Sequence, residues 1–133
     1  MRFARGVLML GALVFAGIGI GCVLFPAELM SAVDLALPSA VARTEIRAFY
    51  GGLELGVAVF LTICAVRSDW VPLGLTALAC LMSGMGGVRL IAALAAGREA
   101  WTQIPIALVE LSGAALGVWS LRRVRDARSP LWF

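Results

Sequence analysis

The 133-residue sequence contains no histidine and no lysine, and only 14% of its residues are charged. Without histidine, a histidine-ligated haem, a histidine-containing zinc site and a histidine general base are all excluded. The three cysteines, Cys22, Cys64 and Cys80, form no CxxC motif and lie within apolar runs, so we expect them to be packing residues. The sequence therefore predicts no metal site, no cofactor and no catalytic centre of these kinds.

Apolar residues make up most of the chain. Hydrophobic side chains account for 62% of the sequence, and the mean hydropathy is +0.98. An average soluble domain is about half apolar and about a quarter charged, so this composition indicates an integral membrane protein. The net charge of +3 comes from arginines that flank apolar segments. We therefore attribute it to orientation in the membrane and expect no nucleic-acid partner.

Four apolar stretches are each long enough to cross a bilayer as a helix, which takes about 20 residues. Since backbone groups in hydrocarbon must be hydrogen-bonded, such continuous stretches predict helices. The prediction is an all-α four-helix transmembrane bundle that forms a single membrane domain over residues 1–133. The spans are expected at residues 6–25, 46–66, 71–97 and 103–121.

The residues between the first two spans form the one sizeable loop, predicted on the outer side at residues 26–45. Leu29, Met30, Val33 and Leu37 recur near one helical face, which suggests a short helix lying on the membrane surface and ended by Pro38. A signal peptide at the N-terminus is the alternative for the first stretch. It is not favoured, because the run is too long and lacks a small-residue cleavage site.

Arginines mark one side of the predicted bundle. They precede the first span, lie in the connection between spans two and three, and follow the fourth span. By the positive-inside rule this places both termini in the cytoplasm. The arginines concerned are Arg2, Arg5, Arg67, Arg122, Arg123, Arg125 and Arg128.

Glycines at a spacing of four residues occur in three of the predicted spans, and the third span carries the segment SGMGG. Small residues at this spacing let helix backbones approach closely in lipid. The spacing fits packing within the bundle and a homodimer interface, and it does not separate the two. The predicted packing residues are Gly17, Gly21, Gly52, Gly56, Gly86, Gly113 and Gly117.

Charged residues also lie inside three of the predicted spans. Arg47, Tyr50, Gly51 and Glu54 follow the i, i+3, i+4, i+7 spacing of one helical face. At 1.5 Å per residue, Glu54, Arg89 and Glu110 all fall roughly 10–12 Å below the outer boundary. An unpaired charge at that depth costs about 3 kcal/mol or more, so Arg89 is expected between the two glutamates.

Two interpretations of these charges remain open. In the first, the ion pairs only hold the helices in register. In the second, which the number of polar groups slightly favours, Arg47, Tyr50, Gly51, Glu54, Arg89 and Glu110 form a ligand-binding polar network.

The segment RAFYGGLELG, with an arginine late in the third span and a glutamate in the fourth, resembles the bacterial family catalogued as domain of unknown function 4345. The most specific matching element comprises Arg47, Tyr50, Gly51 and Gly52. The resemblance implies four membrane helices and, because the family is bacterial, a multi-pass protein of the inner membrane. It implies no reaction.

The sequence favours a protein that binds a lipid-like or amphipathic small molecule, with membrane lipid around it. An accessory or assembly subunit of a larger membrane complex is the alternative, since the chain is small and nearly confined to the bilayer. Proton-coupled transport is less favoured, because an adjacent arginine keeps a carboxylate ionised. A membrane-lipid isomerase needs little more than a carboxylate, but no nucleophile–base pair is recognisable.

Overall fold

The computed structural model of the protein describes residues 1–127. Within that range the chain is helical and has no strand. It consists of α1 (Arg2–Leu24), α2 (Pro26–Ser31), α3 (Ala40–Glu45), a π-helical segment (Ile46–Gly52), α4 (Leu53–Val66), a 3₁₀ turn (Ser68–Trp70), α5 (Val71–Ala96), a 3₁₀ segment (Gly97–Gln103) and α6 (Ile104–Asp126).

Helix boundaries follow local chemistry. Pro26, Pro72 and Pro105 each lie in the first turn of a helix, where the missing N–H removes no intrahelical hydrogen bond. The hydroxyl of Ser39 accepts a hydrogen bond from the Ala42 N–H and so caps α3. Gly97 ends α5 with φ +75° and ψ −149°, a conformation that is essentially restricted to glycine.

Within residues 1–127, three helical stretches are long and apolar enough to cross a membrane: Arg2–Leu24, Ala40–Val66 and Ser68–Asp126. This confirms the prediction of an all-helical protein with segments long and apolar enough to cross a membrane. The third stretch has 59 residues and folds back on itself after Gly97, because α5 and α6 pack against each other. The count of four spans stays a prediction.

The loop between the first two spans differs from the prediction. The helix leading into the second span begins at Ala40, six residues before the expected boundary at Ile46. Helix α2 ends at Ser31 instead of continuing to Pro38. The reason is a Schellman-type ending, in which Asp34 has φ 59° and the N–H groups of Asp34 and Leu35 donate to the carbonyls of Ser31 and Met30.

The helices form two compact units. The first, here named the hairpin unit, comprises Met1–Leu8 and the described residues from Cys64 onward; the second, the loop unit, comprises Met9–Ile63. Leu8, Val71 and Leu75 are fully buried in the hairpin unit. In the loop unit, Cys22, Met30 and Ile46 form a buried cluster against which Leu29 and Leu37 pack. The cluster joins α2 and the loop to the ends of both neighbouring helices, so the loop is packed onto its own unit.

Candidate functional site

Arg89 and Glu110 form an ion pair between α5 and α6 of the hairpin unit. The guanidinium donates from Nη2 to Glu110 Oε1 at 2.8 Å and from Nε to Oε2 at 2.9 Å. A third hydrogen bond runs from Arg89 Nη1 to Gln103 Oε1 at 3.0 Å. Two parallel hydrogen bonds of this kind are the strongest arrangement for an arginine and a carboxylate, because charge and geometry act together.

The close packing of α5 on α6 positions this pair. Gly86 lies one turn before Arg89, and a Cβ atom added there would stand 3.0 Å from the Ala107 carbonyl oxygen and 3.0 Å from Glu110 Cβ. Further along, Gly113 faces Met82 and Gly117 faces Ala79. These contacts fix the antiparallel register of the two helices, and the register brings residue 89 opposite residue 110.

The two members of the pair differ in exposure. The Glu110 side chain is 9% exposed, whereas the Arg89 side chain is 33% exposed. Both carboxylate oxygens of Glu110 accept hydrogen bonds from Arg89, so this carboxylate is engaged and poorly placed to take a proton from a substrate. The arginine side chain, by contrast, is partly exposed.

The remaining predicted site residues belong to the loop unit. Gly51 and Glu54 are buried, while Arg47 and Tyr50 are exposed. The four residues, which α-helical spacing predicts on one face, therefore differ in exposure. Arg47, Tyr50 and Gly51 lie in the π-helical segment Ile46–Gly52, whose turn is wider than that of an α-helix.

Arg47 has a structural contact in the loop unit. Its Nε donates to the Val23 carbonyl oxygen at 3.0 Å. Val23 lies in the last turn of α1, where carbonyl groups have no intrahelical partner, so Arg47 satisfies one of them. The close approach of this segment to α1 also depends on Gly51, because an added Cβ there would lie 2.6 Å from Val23 Cγ2.

The structure thus brings together part of the predicted network. Arg89 and Glu110 meet as expected, and Gln103 joins them. Gln103 was not predicted as a site residue, although its position seven residues before Glu110 places it on the same helical face. Arg47, Tyr50 and Glu54 belong to the other unit, and their membership in a common network with Arg89 stays a prediction.

The predicted packing glycines divide into two groups. Gly21, Gly86, Gly113 and Gly117 face neighbouring side chains, with Leu29 next to Gly21. An added Cβ at Gly17 or Gly56 meets nothing within 4 Å, and one at Gly52 meets only the Arg47 carbonyl oxygen at 3.9 Å. Between α1 and the second span, Gly19 and Gly51 provide the close approach instead. They lie outside the four-residue spacing from which the packing residues were predicted.

An apolar groove of about 530 Å³ lies within the loop unit, between α1 and α4. Its single polar side chain is Thr62, whose hydroxyl donates to the Ala58 carbonyl oxygen in its own helix. Such a surface suits a hydrocarbon chain and offers nothing to a charged group. The groove is lined by Met9, Ala12, Leu13, Ala16, Leu55, Ala58, Val59, Thr62 and Ile63.

Residues 1–127 contain no group of three or more histidine, cysteine, aspartate or glutamate side chains that could hold a metal ion. In comparisons with known proteins, the family model described as Domain of unknown function (DUF4345) matches residues 3–121. No curated protein and no solved structure matches the chain. The family match covers the whole of the helical region that carries the RAFYGG element, Arg89 and Glu110.

Proposed function

The chain belongs to the DUF4345 family, and from this premise we propose that it is a multi-pass membrane protein that binds a lipid-like, amphipathic small molecule. The observation that carries the proposal is the Arg89–Glu110–Gln103 arrangement. It holds a permanently charged guanidinium in a fixed orientation within an apolar helical hairpin, with 33% of the arginine side chain accessible.

Arginine at such a position favours a ligand with a hydrogen-bond acceptor or an anionic group. Its planar guanidinium stays protonated and presents donors in a fixed fork. Exposed apolar side chains on the same helices, such as Val88, Ile91 and Val109, provide surface for the hydrocarbon part of the ligand. The apolar groove of the loop unit is another surface that accepts a hydrocarbon chain.

The proposed topology has four spans, with both termini in the cytoplasm of a bacterial inner membrane. Two contacts within the hairpin unit support it. The rings of Phe3 and Trp119 pack edge to face with their centroids 5.2 Å apart. Arg5 Nη2 donates a hydrogen bond to Ser68 Oγ at 2.6 Å. The start of α1, the 67–70 connection and the end of α6 are therefore neighbours. A chain that returns to the same place after each pair of helices crosses the membrane an even number of times.

The test replaces the whole ion pair. In the double variant Arg89→Leu/Glu110→Leu neither member of the ion pair is left without the other, so the fold is expected to persist. The variant and the wild type are extracted gently, and the small molecules that each retains are identified and quantified by native mass spectrometry. We expect the double variant to retain about tenfold less amphiphile than the wild type. This factor corresponds to the loss of a charge-assisted hydrogen bond of about 1.5 kcal/mol.

A matched control comes from the same helix. Leu73 is exposed near the start of α5, far from Arg89, so Leu73→Ala should retain the amphiphile at the wild-type level. If the double variant folds and retains as much as the wild type, Arg89 binds no ligand and the pair serves only the helix register.

The alternative function is that of an accessory subunit in a larger membrane complex, or of a homodimer. Open glycines favour it: Gly17, Gly56, Gly84 and Gly87 have no neighbour within 4 Å of an added Cβ, so a second chain could approach these surfaces closely. Size analysis after gentle extraction separates the possibilities. A particle of monomer mass contradicts both assemblies, a dimer supports self-association, and a heterologous partner supports the accessory role.

A further inference from the structure

The tertiary structure gathers three distant segments of the hairpin unit at one end of α5 and α6. Arg5 contacts Ser68 across 63 residues of sequence, and Phe3 contacts Trp119. The antiparallel packing of Gly117 on Ala79 brings the end of α6 toward the start of α5. We name this region the arginine end, defined by residues 2–5, 67–70 and 119–126.

Positive charge dominates the arginine end. It contains six arginines, and its acidic residues are Asp69 and Asp126. The other end of the same unit, at Gly97–Gln103, has one arginine and one glutamate and is neutral by this count. The excess of positive charge is therefore confined to one end of the hairpin unit. The six arginines are Arg2, Arg5, Arg67, Arg122, Arg123 and Arg125.

The protein supplies little counter-charge to the arginines whose contacts are resolved. Arg5 donates to the neutral hydroxyl of Ser68, and its Nε is buried without an acceptor. Arg67 lies 5.0 Å from the centre of the Trp70 ring, and Arg123 lies 4.0 Å from that of Trp119. Within residues 1–127, no carboxylate lies within ion-pair distance of these three guanidinium groups.

Two tryptophans indicate the depth of the arginine end in the bilayer. Trp70 and Trp119 accompany Arg67 and Arg123, and tryptophan is enriched at the level of the lipid headgroups. A guanidinium over an aromatic ring keeps its plane fixed while its edge can still donate to an oxyanion. Anionic lipid attracts basic groups at a membrane surface by about 1 kcal/mol per residue.

We propose that the arginine end is a binding surface for the phosphate groups of anionic phospholipids. The proposal is independent of the Arg89 site, since it uses the opposite end of the same helices and a different class of contact. Arg5, Arg67 and Arg123 provide the charge, and the tryptophans hold them at the depth where the phosphates lie.

The test measures phospholipid retention by the full chain. The protein is purified in detergent with equal amounts of phosphatidylglycerol and phosphatidylcholine, and bound lipid is counted by native mass spectrometry. We expect the wild type to retain phosphatidylglycerol in preference to phosphatidylcholine. Arg5→Gln and Arg123→Gln should each lower its retention about fivefold, which equals about 1 kcal/mol per arginine. Arg123 is exposed, so its replacement leaves the packed core intact even if Arg5→Gln destabilises the fold.

Arg98→Gln is the matched control. Arg98 lies 5.7 Å from the centre of the Trp101 ring, so it forms the same kind of arginine–tryptophan pair at the other end of the unit. This variant should retain phosphatidylglycerol at the wild-type level. Equal retention of both lipids by the wild type, or an equal loss in Arg98→Gln and Arg123→Gln, would overturn the proposal. Displacement of the lipid by millimolar inorganic phosphate would also overturn it, because the surface would then bind phosphate without regard to the lipid.

Discussion

At the scale of single residues, the Arg89–Glu110 pair explains how a chain with so few charges keeps two of them inside an apolar hairpin. A lone charge in the membrane interior is costly, and a pair with two matched hydrogen bonds offsets most of that cost. Gln103 occupies a third donor of the guanidinium. The Glu110 carboxylate is buried, whereas the Arg89 side chain is partly exposed. Glu110 therefore holds the guanidinium in its orientation, and Arg89 places a positive charge at the surface of the hairpin.

A single substitution of Arg89 should be worse than the loss of the whole pair. Arg89→Leu leaves the Glu110 carboxylate buried without its cation, and breaking a buried pair from one side costs about 3–5 kcal/mol. We expect the free energy of unfolding to fall by that amount in a denaturant titration followed by circular dichroism. The double variant with Leu at both positions should recover most of the loss.

Arg98→Leu is the comparison for this prediction, because it removes an arginine that lies over Trp101 in the 3₁₀ segment and forms no buried ion pair. Its unfolding free energy should stay within about 0.5 kcal/mol of the wild type. Equal stabilities of Arg89→Leu and the double variant would contradict the view that the pair is energetically coupled.

At the scale of helices, the α5–α6 hairpin depends on backbone proximity. There is no hydrophobic drive between helices in lipid, so van der Waals packing at small residues and interhelical hydrogen bonds stabilise the contact. Gly86 admits the α6 backbone one turn before Arg89, and Gly97 provides the reversal that lets α6 return along α5. The geometry of the ion pair is therefore a consequence of how closely the two helices approach.

Replacing Gly86 with alanine should separate the helices. The added methyl group meets the Ala107 carbonyl oxygen, Glu110 Cβ and Leu111 Cγ, all at 3.0 Å, and two of these atoms cannot move without moving α6. We expect a loss of about 1–3 kcal/mol in unfolding free energy, the usual penalty for overpacking. Thermal unfolding in detergent measures it.

The adjacent Gly87→Ala variant isolates the steric effect, because an added Cβ at Gly87 meets nothing within 4 Å. Both variants gain the same intrinsic helix propensity from alanine, so the difference between them reports packing alone. Equal melting temperatures for the two would show that a methyl group at residue 86 does not clash with α6.

At the scale of the whole molecule, composition and charge distribution decide where the protein resides. In the part of the chain that the structure describes, three helical stretches are long and apolar enough to cross a membrane, and the family match extends over residues 3–121. The arginines of the described chain lie predominantly at the ends of these stretches, as expected for a protein oriented by the positive-inside rule. Arg128, which the sequence assigns to the same basic group, lies outside the described residues.

The proposed topology predicts that the two termini are on the same side of the membrane. A reporter that is active only in the cytoplasm is fused to the N-terminus in one variant and to the C-terminus in another. Both fusions should be active, because the Phe3–Trp119 contact joins the start of α1 to the end of α6. A third fusion at Gly97, in the turn between α5 and α6, should be inactive. Activity of only one terminal fusion would mean an odd number of spans.

Features that depend on composition and local chemistry could be predicted from the sequence alone. Apolar runs predicted membrane-length helices because about 20 apolar residues can satisfy their backbone groups in lipid in few other ways. The third predicted span, at residues 71–97, coincides with α5 and its terminal Gly97. The pairing of Arg89 with Glu110 was also predictable, since a buried charge needs a partner and the spans place both at one depth.

The tertiary structure decided the features that depend on the path and mutual approach of the helices. No periodicity in the sequence predicts the π-helical segment at Ile46–Gly52. The burial of Gly51 and Glu54 beside exposed Arg47 and Tyr50 is likewise seen only in the structure. Spacing selected Gly17 and Gly56, whereas the backbones come close at Gly19 and Gly51. Helical spacing defines which residues share a face, but only the packed structure determines which face meets a neighbour.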